Sequence, residues 1–254
     1  MNLIGQTVKH GVFGKGTVTG RDQQVLTVHF PAGNHSFLYP EAFSKYLVAQ
    51  NPELQRQILA RIESEKNARQ AEEHREMERW EKEIALRSRK IPTRSQGAFD
   101  LTPGETERVF TDWIVSTGTY LSGFSRGEPR IPDRMGPNSL CLLTLRQPGQ
   151  PETDRKIVGL FMPIEDFEGK DCTDGIIRAH PDYRIRLSKN EQLPFWPFIT
   201  DAKEKMKWGS TAFKYLPNET AAQLVKKLCS SSDKASRKAF YRYFCELNHL
   251  ETDE

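Results

Sequence analysis

The sequence predicts an α+β protein in which short strands are followed by a long charged helix and then by a mixture of strands and helices. Within residues 25–30, apolar and more polar positions alternate with a period of two, which is typical of a half-buried strand. Further along, Leu54, Ile58 and Ile62 recur at helical spacing. Beyond residue 105, apolar strand segments and helical segments occur in the same part of the chain.

Composition favours a soluble protein with one large domain or two small ones. The chain has 254 residues, of which 37% are hydrophobic and 28% are charged, and its formal net charge is +3. No segment approaches the roughly 20 apolar residues of a membrane span, and the N-terminus lacks the apolar centre of a signal peptide. We therefore expect a cytoplasmic protein with no membrane partner. The small positive charge permits a polyanionic partner without requiring one.

The four cysteines, Cys141, Cys172, Cys229 and Cys245, are far apart and form no CxxC pair. This spacing argues against a zinc site or a disulfide framework, and it fits a reducing compartment. We expect neither a bound metal nor another cofactor.

The chain changes character along its length, which gives four predicted segments. Residues 1–50 contain short strands separated by glycine and polar turns. Residues 51–90 predict a charged helix, either a spacer or a weak coiled coil, with pairs such as Glu83–Arg87 at helical spacing. Residues 91–104 are a linker rich in Pro, Gly and Ser, and residues 105–254 form a second folded domain.

This second domain is predicted as an α+β mixture. Its predicted strands are RVFTDWIVST, SLCLLTLR, RKIVGLFMPI and DYRIRLS, and its predicted helices are ETAAQLVKKLCSS and DKASRKAFYRYFCELNHL, the latter with a Ser/Asp cap.

The stretch HGVFGKGTV combines three glycines with a lysine, which raises the question of a phosphate-binding loop. A Walker loop has a Ser or Thr after its Gly-Lys pair and another glycine five positions before that pair's glycine. Here Gly16 follows the Gly-Lys pair, and Lys9 stands at the upstream position. A dinucleotide fingerprint does not fit either, because no helix follows. The stretch therefore predicts a β-turn whose glycines adopt positive φ, with Val12, Phe13 and Val18 packed inward.

The same stretch resembles the Tudor-like, SH3-type barrel at the C-terminus of UvrD/PcrA-type bacterial helicases. That family opens with a His-x-x-Phe-Gly-x-Gly-x-Val pattern, and this sequence matches it from His10 to Val18. The resemblance covers residues 4–48 and includes none of the helicase motor. It implies a small barrel that docks on RNA polymerase, another protein complex or nucleic acid. Its candidate docking residues are His10, Phe13 and Lys15.

Aromatic and basic residues are interleaved through the C-terminal domain. Stacking faces and cations together suit single-stranded or flipped-base recognition. The alternative is that the aromatic residues pack in the core and the arginines are solvated. The interleaved residues include Trp113, Tyr120, Phe124, Arg126, Arg130, Arg134, His180, Tyr183, Arg184, Arg186, Trp196, Trp208, Phe213, Lys214 and Tyr215.

The order of the predicted strands, with Ile157-Val158-Gly159 in an apolar strand, is similar to PUA-like domains of the EVE and ASCH kind. This resemblance implies a small barrel with a cleft that binds RNA or a modified DNA base. We expect the loop 117–139 and the segment 208–215 to form the walls of that cleft.

Each candidate nucleic-acid-binding residue has an expected role. Trp208 would stack on a base, and Ser210 and Asn138 would hydrogen-bond to it, whereas Arg130, Arg134 and Lys214 would contact phosphate. His180 and Arg184 complete the candidate set.

Two other function classes remain open. The barrel and the charged helix would suit a protein-interaction adaptor of a bacterial transcription or defence complex. A PUA-like nuclease or base-modifying hydrolase would use His180 with a nearby Asp, although a single histidine before proline is more typical of a structural role. The carboxylates of Asp154, Glu165, Asp166 and Glu168 could form an acid pair or bind metal, but their sequence is also typical of a solvated loop. We name no catalytic residue.

Overall fold

The computed structural model describes residues 3–199, 206–230 and 235–251. The chain divides into two compact units, Met1–Glu81 and Lys82–Glu254. Both helices and strands are present, as the α+β prediction requires.

The first unit contains a five-stranded antiparallel sheet with the order β4-β3-β2-β1-β5. Leu26, Val28 and Phe30 are fully buried in its third strand, and the residues between them are more exposed. This confirms the predicted period of two. The strands are β1 (Thr7–His10), β2 (Gly14–Asp22), β3 (Val25–Phe30), β4 (Gly33–Leu38) and β5 (Leu47–Ala49), with a short helix α1 (Ala42–Lys45) before β5.

The glycine-rich stretch forms the turn between β1 and β2, as predicted. Gly14 has a positive φ of 77°, and Gly16 lies so close to the ring of Phe30 that a Cβ there would approach Cδ1 to 2.6 Å. Val18 is buried, but the inward packing expected for Val12 is wrong, because its side chain is 83% exposed. The turn projects Val12 away from the sheet, whereas Phe13 of the same turn is partly buried and packs against the core, as expected.

The charged helix predicted over 51–90 is present as α2 (Pro52–Arg87). The side chain of Asn51 accepts a hydrogen bond from the backbone N–H of Glu53 at 3.0 Å, which caps the first turn. Only Leu54 and Ile58 are buried along the helix. Its remaining turns are therefore sustained by helix propensity and by exposed ion pairs such as Arg87–Glu83, at 2.6 Å.

The second unit is built on a sheet with the order β12-β6-β8-β9-β10-β7, to which β11 adds by pairing with β9. β6 and β8 are parallel, and the other pairs are antiparallel. Its elements are β6 (Gln96–Leu101), α3 (Pro103–Asp112), β7 (Ile114–Ser116), β8 (Cys141–Leu145), β9 (Lys156–Pro163), β10 (Ile176–Arg186), β11 (Leu193–Pro194), β12 (Phe213–Leu216), α4 (Asn218–Ser230) and α5 (Ala235–Leu247).

Two predictions for this region are wrong. Much of the expected linker 91–104 is β6, a buried strand between β8 and β12. The first half of the strand expected at RVFTDWIVST belongs to the helix α3, whose N-terminus carries a capping box between Thr102 and Glu105. Trp113 then adopts a positive φ of 53° and ends the helix, so only Ile114–Ser116 of the segment pair as β7.

The sheet separates two hydrophobic cores. Alternate residues of β6 and β8 point to opposite faces: Ala98 and Leu142 belong to the core covered by α4 and α5, whereas Phe99 and Leu143 belong to the core covered by α3. The helices α4 and α5 confirm the two predicted C-terminal helices, and the expected Ser/Asp cap lies outside the described residues. Among the described residues, no helix is both long enough and apolar enough to cross a bilayer.

Candidate functional site

The two edge strands of the curled sheet in the second unit, β7 and β12, approach each other beside Gly118. This glycine follows β7 and has a φ of 72°. A Cβ at Gly118 would lie 2.6 Å from the Cβ of Ala212, which precedes β12. On the other side, the backbone N–H of Asp100 donates to the carbonyl of Ala212 at 2.8 Å. The segment 209–212 is thus held between β6 and the loop after β7.

A cavity of about 520 Å³ opens along this junction, and we call it the seam pocket. It is formed by the end of β6, one side of α3, β7 with Gly118, and the segment 209–212. It is lined by Phe99, Asp100, Leu101, Thr102, Glu105, Arg108, Val109, Ile114, Val115, Ser116, Gly118, Ile176, Gly209, Ser210, Thr211 and Ala212.

Apolar side chains such as Val109 and Ile114 line much of the seam pocket, and hydroxyl groups lie at its edge. The Oγ1 atom of Thr211 is buried and has no hydrogen-bond partner among the residues that the structure describes. Ser116 Oγ accepts a hydrogen bond from the N–H of Gly118 at 3.1 Å, which leaves its own proton for another acceptor. The pocket can therefore hold an apolar group and hydrogen-bond to it.

Two arginines of the loop 117–139 pack on β12 next to the seam pocket. The guanidinium of Arg130 lies 4.7 Å from the ring centre of Phe213 and donates to the Phe213 carbonyl at 3.3 Å. Arg134 lies 5.2 Å from the ring centre of Tyr215. These rings are two residues apart, so both cations lie on the same face of the strand.

The hydroxyl group of Tyr215 donates a hydrogen bond to Asp133 at 2.8 Å. Burial, together with this hydrogen bond, raises the pKa of Tyr215 well above its usual range. Tyr215 therefore stays neutral, and its ring packs against the guanidinium of Arg134.

The loop 117–139 is anchored at its base and exposed at its tip. Thr117 Oγ1 donates to the carbonyl of Arg130 at 2.6 Å, and the N–H of Arg130 donates to the carbonyl of Gly118 at 2.9 Å. At the tip, the ring of Phe124 is fully exposed. Phe124 is one of the interleaved aromatic residues but is not among the binding residues predicted from the sequence. In the sequence, the glycines at positions 123 and 127 on either side of Phe124 were the signal of an exposed turn. In the structure, both Gly123 and Gly127 adopt positive φ.

Trp208 is only 3% exposed, so it cannot stack on a base without leaving its core. Its Nε1 donates to the carbonyl of Thr211 at 2.7 Å, and the guanidinium of Arg155 lies 4.2 Å from its ring centre. The ammonium group of Lys214 lies 5.5 Å from the same ring centre and donates to the carbonyl of Lys207. Trp208 therefore supports the segment 209–212 from behind, and the nearby Ser210 is exposed at the seam pocket.

Asn138 is also buried and takes part in a structural network. Its Nδ2 donates to Asn248 Oδ1 at 3.2 Å, and Asn248 Nδ2 donates back to its carbonyl at 2.8 Å. Gln96 joins the same network through Asn248. Asn138 does not line the seam pocket, so this site does not bring it to a ligand.

His180 and Arg184 lie on β10, and neither lines the seam pocket. The ring of His180 packs 4.6 Å from that of Tyr183, and its Nδ1 accepts a hydrogen bond from the N–H of Asp182 at 3.1 Å. Its Nε2 lies 3.8 Å from Glu165 Oε1. Arg184 covers the ring of Trp113 at 5.1 Å. The structure therefore does not bring either residue into the seam pocket.

In the first unit, His10 and Phe13 are part of an aromatic stack. The ring centres of His10 and Phe13 are 4.6 Å apart, and those of Phe13 and His35 are 4.0 Å apart in a stacked arrangement. Lys15 is exposed on the adjoining strand β2.

Burial of the cysteines disfavours nucleophilic chemistry. All four are buried as free thiols, and burial raises the pKa of the Cys141 thiol, which keeps it protonated. Within residues 3–199, 206–230 and 235–251, no group of three or more His, Cys, Asp or Glu side chains is placed to hold a metal ion.

The candidate site is thus the seam pocket together with the arginines and the exposed tip of the loop 117–139. No protein-family model matches this chain, and no curated protein or solved structure is significantly similar to it.

Proposed function

We propose that this chain is a nucleic-acid-associated binding protein whose second unit binds an unpaired base of RNA or DNA in the seam pocket. One observation carries the proposal. The pocket is lined by parts of both segments that the sequence predicts as cleft walls, Gly118 from the loop 117–139 and residues 209–212 from the segment 208–215.

The shape and chemistry of the seam pocket support a base as its ligand. Proteins that recognise unpaired nucleotides place the base between apolar or aromatic surfaces and hydrogen-bond to its edges. The pocket offers apolar walls such as Val109 and Ile114, with hydroxyl groups from Ser116, Ser210 and Thr211. A buried hydroxyl without a partner is costly in the free protein, so a ligand that hydrogen-bonds to Thr211 would relieve that cost.

The loop beside the pocket supports a polyanionic strand as the carrier of that base. Arg130 and Arg134 are held on aromatic rings of β12, and within the described part of the chain both retain N–H donors for phosphate oxygens. Arg126 lies earlier in the same loop, two residues after the exposed Phe124. An exposed aromatic ring in a loop that also carries cations is a suitable stacking surface for a neighbouring base.

We assign the first unit to the SH3- or Tudor-like barrels and the second to the PUA-like domains. The five antiparallel strands of the first unit are consistent with a small barrel. In this proposal the first unit docks on a partner or a duplex through His10, Phe13 and Lys15, while the second unit binds the strand.

A protein-interaction adaptor is the second candidate function. Apolar side chains are exposed near the aromatic stack of the first unit, namely Val12, Tyr46 and Val48. Exposed apolar groups of this kind favour a protein partner, such as RNA polymerase or another complex. Capture of such a partner that survives nuclease treatment would favour this candidate over a nucleic-acid-dependent one.

The base-binding proposal is tested with fluorescently labelled single-stranded oligonucleotides and the full-length protein. We expect Thr211→Val to weaken binding of a normal oligonucleotide about tenfold, which corresponds to the loss of one hydrogen bond. The same substitution should not change binding of an oligonucleotide whose bases are replaced by abasic linkers.

Arg130→Gln is the second variant, and Arg242→Gln on α5 is its charge-matched control. We expect Arg130→Gln to weaken binding and to reduce its salt dependence, because a phosphate contact is lost. Equal affinity for normal and abasic strands, or equal effects of the two arginine substitutions, would contradict the proposal.

A further inference from the structure

A second cavity, of about 550 Å³, lies on the opposite side of α3 from the seam pocket. It is bounded by Thr106, Glu107 and Phe110 of α3, by residues 145–158, and by residues 186–192. We call it the lysine cleft, after Lys156 at the start of β9 and Lys189 after the end of β10.

Five side chains of the lysine cleft have unused hydrogen-bond donors. Among the described residues, none of the five makes a side-chain hydrogen bond or an ion pair, although other polar groups nearby do. They are Lys156, Lys189, Gln147, Gln150 and Gln192. Two ammonium groups and three primary amides that face one concavity form a donor-rich surface for a ligand with several acceptor oxygens.

Among the described residues, neither carboxylate of the lysine cleft forms an ion pair with these lysines. Glu107 accepts hydrogen bonds from both Nη atoms of Arg186, one of them at 3.1 Å. Through these bonds Arg186 holds the pKa of Glu107 below its usual range. Asp154, the other carboxylate of the cleft, forms no ion pair with a described residue. The cleft therefore carries one net positive charge, and it has two ammonium groups without a carboxylate partner in the described chain.

The floor of the lysine cleft is apolar. Phe110, Leu145, Val158 and Leu187 contribute to it, and the guanidinium of Arg186 lies 4.7 Å from the ring centre of Phe110. Cations at the rim of a low-dielectric concavity attract anions more strongly than the same cations on a convex surface.

We propose that the lysine cleft is a second ligand site that binds a phosphate group, with Lys156 and Lys189 contacting the phosphate and the three glutamine amides hydrogen-bonding to its oxygens. Either a free nucleotide or the phosphodiester backbone of a bound strand supplies this chemistry. The proposal does not depend on the seam pocket, because it concerns phosphate rather than a base and uses none of the seam-pocket residues.

The test uses the full-length protein and three probes: inorganic phosphate, adenosine monophosphate and an abasic oligonucleotide. Binding is measured by calorimetric titration, and the side-chain amide NMR signals of Gln147, Gln150 and Gln192 locate the bound probe. We expect these amide signals to shift with at least one probe. We also expect the double variant Lys156→Gln/Lys189→Gln to bind that probe at least tenfold more weakly.

Lys170→Gln/Lys238→Gln is the matched control, because both lysines are exposed in the same unit and lie outside the cleft. Tighter binding of adenosine monophosphate would identify a free nucleotide as the ligand, and tighter binding of the abasic strand would identify the backbone. The proposal is wrong if no probe shifts the glutamine signals, or if the control weakens binding as much as the cleft variant. Thr211→Val, which tests the seam pocket, should leave the titrations with the two probes that lack a base, inorganic phosphate and the abasic oligonucleotide, unchanged.

Discussion

Arg155 is a buried charged residue of the second unit whose donors contact several acceptors. Its side chain is 2% exposed, and it donates hydrogen bonds to Asp100, to Glu152 and, at 3.1 Å, to the hydroxyl of Thr144. Its guanidinium also covers the ring of Trp208. A planar group with five donors can satisfy all these contacts at once, whereas an ammonium group cannot.

We predict that Arg155→Lys lowers the free energy of unfolding by about 3 kcal/mol, because partly buried carboxylates lose donors and Trp208 loses its stacking partner. The measurement is urea denaturation followed by tryptophan fluorescence. Arg146→Lys is the control, since Arg146 contacts the same Glu152 at 3.1 Å from a more exposed position and should cost less than about 1 kcal/mol. Equal losses of unfolding free energy for the two substitutions would show that the burial of Arg155 does not contribute to stability.

A substitution of Thr211 distinguishes a role in ligand binding from a role in folding. Because its buried hydroxyl has no partner in the described chain, Thr211→Val should keep the free energy of unfolding unchanged or raise it by up to about 1 kcal/mol. Urea denaturation measures this. A clear loss of stability would mean that the hydroxyl already has a structural partner, and it would remove Thr211 from the binding site.

At the scale of elements, local patterns in the sequence predicted many strands and helices but missed others, among them β6, α3 and β12. Val25–Phe30 and Lys156–Pro163 have apolar patterns long enough to identify them as strands. The β6 segment has few apolar residues and lies beside Pro and Gly, so its burial depends on pairing with β8 and β12. The capping box of Thr102 and Glu105 was a local signal for α3, and the apolar residues of α3 concealed it by resembling a strand.

Gly118 allows the loop after β7 to meet the segment before β12. We predict that Gly118→Ala lowers the free energy of unfolding by about 1–3 kcal/mol, because a Cβ would clash with Ala212 and the positive φ disfavours alanine. Thermal unfolding measures the effect. Gly123→Ala is the control, since this loop-tip glycine also has positive φ but an added Cβ there would meet no other atom within 4 Å; it should cost only the backbone strain. A larger effect at Gly123 would contradict the role given to the Gly118 contact.

The segment that follows α2 is joined to the loop after β9 by the ion pair of Arg89 and Glu168, whose second hydrogen bond is 2.6 Å long. The hydrogen bonds from Arg89 lower the pKa of Glu168. The ionised carboxylate of Glu168 therefore stabilises the folded protein at pH values above the unfolded pKa of about 4.3. This stabilisation is lost as the pH falls through the lower pKa that Glu168 has in the folded protein.

We predict that Glu168→Gln lowers the free energy of unfolding at pH 7 by less than about 1 kcal/mol, because the pair is partly exposed and solvent screens it. The difference from the unsubstituted protein should shrink as the pH falls to about 3 and below, because Glu168 becomes protonated in both states. Urea denaturation at a series of pH values measures this difference. A difference that stays constant over the whole pH series would show that the carboxylate charge is not responsible.

At the scale of the whole molecule, the sequence predicted the existence of two folded parts but not the seam pocket. The pocket combines residues 99–102, 114–118 and 209–212, which are brought together only when the ends of the sheet approach each other. No local pattern in the sequence predicts that these two edges of the sheet meet. The loop 117–139 and the segment 208–215 were predicted as cleft walls from their composition and from a resemblance. Composition could not distinguish the buried Trp208 from the exposed Phe124.

The two units have separate cores, so a defect in one should leave the other folded. Among the described residues, the buried side chains of the first unit's core lie within residues 3–58, and those of the second unit's two cores lie within residues 98–247. We predict that Gly16→Ala destabilises the first unit by about 1–3 kcal/mol, because a Cβ would approach the ring of Phe30 and the carbonyl of His29. NMR signals of β1–β4 should disappear at a lower temperature in this variant.

The fluorescence transition of the second unit, which the buried Trp208 reports, should keep its midpoint in Gly16→Ala. Trp80, in the first unit, is exposed, so its emission should change little on unfolding. Gly20→Ala in the same strand is the control, because an added Cβ there has only ordinary contacts and should shift the NMR transition far less. If Gly16→Ala moved the fluorescence midpoint as far as the NMR midpoint, the chain would unfold as one cooperative unit, and ligand binding by the second unit would depend on the first.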